Sequence, residues 1–130
     1  MLNGDLISTK VNSFPLLQHY GIINVTSRGV FVMHNTPERG TVIDPIDTFL
    51  KTRTTTSIKH TWLNELNDVQ LNERFESCKG DFNLITYNCE HFIDCMLGDE
   101  PSSAQLTIVC IAILFLFGLM VFQLNNNESK

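Results

Sequence analysis

The sequence predicts an α+β domain followed by a single membrane-spanning helix, and three observations carry that expectation. Short β-branched and aromatic runs crowd the first half of the chain between Gly, Pro and Asp turns, while helical periodicity is confined to the second half. The 130 residues, 43% hydrophobic and 18% charged, suit one small folded domain and not a disordered chain. Near the end, "LTIVCIAILFLFGLMVFQL" from Leu106 to Leu124 is an uncharged apolar run at the lower end of the length that spans a bilayer. Strands first and helices after, each with an apolar face to bury, predict an α+β arrangement.

Taken in order, "GDLISTKV" reads as a short strand after a Gly-Asp turn. "HYGIINVT" and "VFVMHNT" are strand-forming runs separated by "SRG", which predicts a hairpin, and "TVIDPID" is a further extended piece that Pro45 ends or edges. In "DVQLNERFESCKG", Asp68 is the candidate cap of a helix, Leu71, Phe75 and Cys78 form its stripe, and Gly80 ends it. "NCEHFIDCMLG" predicts a second helix with Asn88 as N-cap, Phe92, Ile93, Met96 and Leu97 inward, and Gly98 as stop. The expected organisation is a domain over residues 1–100, a linker over 101–105, a transmembrane helix over 106–124 and a polar tail over 125–130. A membrane helix at the C-terminus leaves the domain cytosolic and tethered, a single-pass C-terminal anchor; its flanks carry almost no Lys or Arg to fix orientation.

The net charge of -5 argues against a nucleic-acid binder. Lys51, Arg53 and Lys59 nevertheless fall in a stretch without acids, a local basic face suited to a solvated surface or to anionic lipid. No apolar secretory leader is visible in the first ten residues, so the four cysteines are expected as free thiols, with Cys78 and Cys95 as small apolar fillers.

Candidate chemistry centres on Cys89. As the first residue after an Asn cap, it sits where free backbone N–H groups and the helix dipole favour a thiolate. If Ser27 and Arg28 form a two-residue hairpin loop, His19 falls opposite Thr36 and Gly21 opposite His34. The two histidines then lie diagonally on one face; a loop one residue longer or shorter would separate them. Packed against that hairpin, Cys89 would meet His19, with His34 orienting the ring. A buried structural thiol and a metal site with His91 are the competing readings. The latter is the poorer, because Cys-x-His on a helix sends its two side chains to different sides. His91 is expected to bond locally and His60 to lie at the surface.

Together the motifs resemble the lecithin:retinol acyltransferase-like, or H-box/NC, superfamily. "NCEHF" (Asn88–Phe92) is similar to its cysteine motif, "GDLI" (Gly4–Ile7) to its start, "QHYGIINV" with His19 to its histidine box, and "VFVMHNTP" with His34 to the strand that follows. The order is the same over residues 4–98. The resemblance implies a permuted papain-like (NlpC/P60-related) domain, an antiparallel sheet packed on helices, with Cys89 as nucleophile, His19 as general base, His34 as orienting residue, Asn88 as motif support and Tyr20 as a substrate-binding residue. It implies a membrane-anchored thiol phospholipase A1/A2 and acyltransferase that holds an acyl group as a thioester, with a glycerophospholipid and an acyl acceptor as partners, and no cofactor or metal. Tyr20 and Gly21 stand where the family has Trp-Ala, and the middle of the chain is shorter. Such compact forms resemble the 2A proteins of picornaviruses, so a non-enzymatic membrane-bound interaction module is the alternative, with a thiol protease or deconjugating enzyme third.

Overall fold

Five strands form one antiparallel sheet in the order β4-β3-β2-β1-β5: β1 (Leu6–Val11), β2 (Phe14–Thr26), β3 (Gly29–Thr36), β4 (Gly40–Pro45) and β5 (Arg53–Lys59). The helices are α1 (Ile46–Leu50), α2 (Asp68–Ser77), α3 (Cys89–Leu97) and α4 (Ala104–Glu128), with a 3-10 turn at Trp62–Glu65. This computed structural model describes residues 1–85, 87–100 and 103–128, the side chains of 125–128 excepted. The α+β class is as expected. The edge strand β5 is an addition that the threonine-rich run after Lys51 did not signal, and α1 takes Ile46 and Asp47 from the expected extended piece.

The sheet is covered on both faces. Alternation along the strands sends Ile22 and Met33 to one face, where Leu63, Leu71, Phe75, Phe92 and Met96 close the larger core. It sends Ile7, Ile23 and Val32 to the other, against Phe49 of α1. Helix α3 packs across β2 and β3, and its wholly buried Phe92 contributes about 1.5–3 kcal/mol of apolar burial. Its caps are those expected: Asn88 Oδ1 accepts from the backbone N–H groups of Glu90 and His91, and Gly98 closes it at φ 79°. Helix α2 is capped by Asn67, not Asp68, because Asn67 and Gln70 complete a reciprocal capping box. It ends at Cys78, two residues before Gly80.

The "GDLI" start is a structural knot. Asp5 is fully buried and accepts from Leu2 N at 2.6 Å, His60 Nδ1 at 2.7 Å and Asn64 Nδ2 at 2.9 Å. Burial pushes its pKa up, but these donors outweigh it and hold the carboxyl below the usual range. His60 itself lies at the surface, as expected.

Free thiols were expected throughout, and that is corrected at one pair. Cys78 at the end of α2 and Cys95 in α3 form a disulfide, their Cα atoms 5.8 Å apart. Two cysteines 17 residues apart on different helices meet only because the helices pack; their spacing carries no sign of it. Cys89 and Cys110 are free.

Helix α4 spans more than the apolar run alone, starting inside the expected linker and continuing over Asn125–Glu128 of the expected tail. Residues 101, 102, 129 and 130 of those expected segments lie outside the described residues. Its segment Ala104–Leu124 has a mean hydropathy of 2.6, is unburied, and is long and apolar enough to cross a membrane.

Candidate functional site: a cysteine and a histidine relay on one cleft

The β2–β3 hairpin has the expected two-residue loop, with Thr26 opposite Gly29 and the register running to Ile22 opposite Met33. The ladder stops there, short of His19 and Thr36, but Gly21 still faces His34 as expected: a Cβ on Gly21 would lie 3.5 Å from His34 Cβ. The two histidines still share the Phe49 face, and His19 Nε2 lies 2.9 Å from His34 Nδ1. Close packing keeps position 21 a glycine. A Cβ there would come within 2.3 Å of Val32 Cγ1 and 3.1 Å of the Met33 carbonyl, so alanine does not fit without a shift.

The relay continues beyond the residues singled out in the sequence. Asp44 on β4 sits opposite Val32, one diagonal from His34, which pairs with Val42. Its Oδ2 lies 3.0 Å from His34 Nε2, and Arg39 grips both carboxylate oxygens, Nη1 to Oδ1 at 3.0 Å and Nη2 to Oδ2 at 2.5 Å. The Arg39 hydrogen bonds hold Asp44 below the usual carboxylate range, so it is ionised and can only accept. Its one signal in the sequence is an acid inside the extended run "TVIDPID".

An accepting Asp44 sets every proton along the row. His34 donates from Nε2 and therefore accepts at Nδ1; His19 donates to it from Nε2 and keeps a bare lone pair on Nδ1. Burial, with Arg53 and His34 nearby, lowers the His19 pKa from 6.5 to about 3. Burial also lowers His34, with Asp44 opposing. Both rings are neutral at physiological pH.

Cys89 stands at the first position of α3, 8% exposed. Burial pushes its thiol from 9.0 up to about 11, against backbone hydrogen bonds from Tyr20, Cys89 itself and Glu90. The expected thiolate at the helix start is thus overturned: desolvation exceeds what the helix N-terminus supplies. Tyr20 has no partner on β3, which leaves its N–H for the sulfur. Among the described residues no hydrogen bond joins Cys89 to the His19 ring; both instead line one cleft of about 400 Å³.

Other expected site residues are placed as follows. The Tyr20 side chain is not in that cleft; it lines a second cavity of about 170 Å³, and its hydroxyl donates to Gln18 Oε1 at 2.7 Å. Asn88 caps α3 and donates through Nδ2 to the Leu84 carbonyl at 3.1 Å and to Ser103 Oγ at 3.2 Å. His91 Nδ1 accepts from the Asn88 backbone N–H at 3.3 Å, the local role expected of it. Arg53, unremarked as a site residue, also lines the cleft. Its Nη1 donates to the Phe49 carbonyl at 2.8 Å, its guanidinium lies over the Phe49 ring, and its buried Nε has no partner among the described residues. No family model, no curated protein and no solved structure matches this chain.

Proposed function

We propose that this protein is a membrane-anchored thiol phospholipase A1/A2 and acyltransferase of the lecithin:retinol acyltransferase-like kind, with a permuted papain-like domain facing the cytosol. The observation that carries the reading is the hydrogen-bonded row Arg39–Asp44–His34–His19, which leaves His19 one bare imidazole nitrogen, together with a cleft that His19 and the free Cys89 both line. A structural pair of histidines has no need of a tautomer-setting carboxylate or of an open cleft beside a thiol.

In this reading Cys89 is the nucleophile and His19 the general base. The resting pair is neutral, thiol and imidazole, because both charged forms are desolvated. As sulfur attacks the ester carbonyl of a glycerophospholipid, its proton passes to His19 Nδ1, and His34 and Asp44 stabilise the imidazolium that forms. Backbone N–H groups of Tyr20 and Cys89 are donors at the bond-forming centre, where the carbonyl oxygen gathers charge. His19 then returns the proton to the leaving glycerol oxygen, and the acyl group stays on sulfur as a thioester. Water releases it as a fatty acid, or an amine or lysolipid acceptor carries it away. Arg53 gives the cleft a cation for the phosphodiester.

The cytosolic side bears on the Cys78–Cys95 bridge, because the cytosol keeps thiols reduced. There the same two residues stand as packed thiols that close on oxidation.

The test is turnover by the full chain in phosphatidylcholine vesicles. Wild type is expected to release fatty acid, and Cys89→Ala to release none while keeping its fold by circular dichroism; release by Cys89→Ala refutes the nucleophile. One observation favours the non-enzymatic interaction module: the buried thiol makes no hydrogen bond to His19 among the described residues. Slow thiol alkylation indifferent to His19→Ala, with no turnover, would select that reading.

A further inference from the structure

The first turn of α4 is fastened to the site. Gln105 and Gln18 exchange two hydrogen bonds, Gln18 N to Oε1 at 2.9 Å and Nε2 to the Gln18 carbonyl at 3.1 Å. Glu90, next to Cys89, accepts from Ser103 Oγ and from Gln105 N at 3.3 Å, a carboxylate at a helix N-terminus. Leu106 and Val109 of α4 thereby become part of the cleft wall, facing a cleft that also holds Leu17, Leu84, His19 and Cys89.

The length of α4 decides where that wall lies. Twenty-one residues from Ala104 to Leu124 span about 32 Å at 1.5 Å per residue, against a hydrocarbon core of about 30 Å. Nothing is spare, so Leu106 and Val109 enter the bilayer, and a cleft walled by them opens there. The surface around the mouth suits this position. Pairing of β1 with β2 jumps from Lys10–Gln18 to Val11–Phe14, leaving Pro15, Leu16 and Leu17 with no partner on β1. On this bulge Leu16 is 87% exposed, and across the cleft Leu84 and Ile85 are 65% and 67% exposed. Such a rim is costly in water and stable in lipid.

We infer that the Phe14–Leu17 bulge and the Leu84–Ile85 turn are inserted in the leaflet that α4 enters, and that the cleft takes the acyl chain of a bilayer lipid sideways, between Leu17 and Leu106. This deepens the proposed function and rests on its reading of α4 as a membrane span. The lipid never leaves the bilayer; its chain slides along the α4 wall until the ester reaches Cys89, with Arg53 toward the headgroup.

Depth measurements test this independently of turnover. In the full chain with Trp62→Phe, single tryptophans at Leu16→Trp, Leu84→Trp, Ile113→Trp and Arg28→Trp are reconstituted in vesicles containing brominated phosphatidylcholine. Residues 16 and 84 are expected to be quenched most by bromine near the headgroup end of the acyl chain, residue 113 by bromine deep in it, and residue 28 by neither. Quenching at 113 without quenching at 16 and 84 overturns the inserted rim and leaves the span standing. No quenching at 113 overturns both. A second measurement compares Leu16→Asp and Ile85→Asp, neither of which lines the cleft, on bilayers and on dispersed short-chain lipid. Loss on bilayers alone is the expected result, and equal activity on both overturns sideways loading.

Discussion

Replacing Asp44 by alanine is expected to disarm His19 without altering either it or Cys89. Asp44 Oδ2 accepts from His34 Nε2 at 3.0 Å, with the two side chains 10% and 1% exposed. A hydrogen bond to a charged acceptor contributes about 1.5–3 kcal/mol, or about 10- to 150-fold in an equilibrium. Without it the His34 proton moves freely to Nδ1. That atom then donates to His19 Nε2, and the His19 proton is displaced onto Nδ1, the atom that must be bare to accept from sulfur. The fall is expected in kcat, by about one to two orders of magnitude, with KM little changed, because the lost population is in the base and not in lipid binding. Arg39 is 53% exposed and is rehydrated, so it adds little cost of its own. Asp44→Asn, which keeps an oxygen in the Oδ2 position, should lose less. Nitrogen-15 spectra of the ring nitrogens in micelles, beside vesicle turnover, provide the assay. If Asp44→Ala leaves His19 Nδ1 unprotonated and kcat unchanged, the relay plays no part and the row is only packing.

Stability should fall on both sides of neutrality. His19 is held near 3 against 6.5 when unfolded, so between these values the unfolded chain binds the extra proton and stability is lost as pH falls; at pH 5 the loss from His19 is about 2 kcal/mol. His34 acts in the same direction, and Asp5 and Asp44 add to the loss below their unfolded value of 3.8. Cys89 is raised from 9.0 to about 11, so the folded chain keeps a proton the unfolded one sheds, and stability also falls as pH climbs through that range. Urea unfolding in detergent across pH checks both limbs, and Cys89→Ser should flatten the alkaline one. Gly21→Ala should destabilise by about 1–3 kcal/mol through overpacking on Val32, with a favourable coupling to Val32→Ala in a double-mutant cycle; additivity would mean the strand simply shifts. Reducing the Cys78–Cys95 bridge should lower stability by about 3 kcal/mol, the loop entropy for a separation of 17, measured by unfolding with and without reductant.

Much of this was legible because it is local. Asn88 and Gly98 bound α3 by cap chemistry, Leu71, Phe75 and Cys78 mark one stripe of α2, and the Ser27–Arg28 loop sets the hairpin register from which the two histidines share a face. Each of these depends on residues within a few positions of one another. The helix α1 was missed because Pro45 reads as the end of a strand and serves here as the N-cap of a five-residue helix that Phe49 anchors to the sheet. Asn67 and Asp68 are both good caps by residue type, and the partner Gln70 decides for Asn67.

The sequence by itself determined the α+β class, the apolar helix at the end and the candidates Cys89, His19 and His34, since periodicity, capping and hairpin pairing are short-range properties of the chain. Tertiary structure alone decided the rest. Asp44 reaches His34 because β4 pairs with β3 in one register, and Arg39 reaches Asp44 from the turn that joins these strands. Cys78 meets Cys95 because α2 and α3 share a core. Cys89 is a high-pKa thiol and not a thiolate because packing removes it from water, and desolvation, a sum over everything that surrounds a group, is written in no single stretch of sequence.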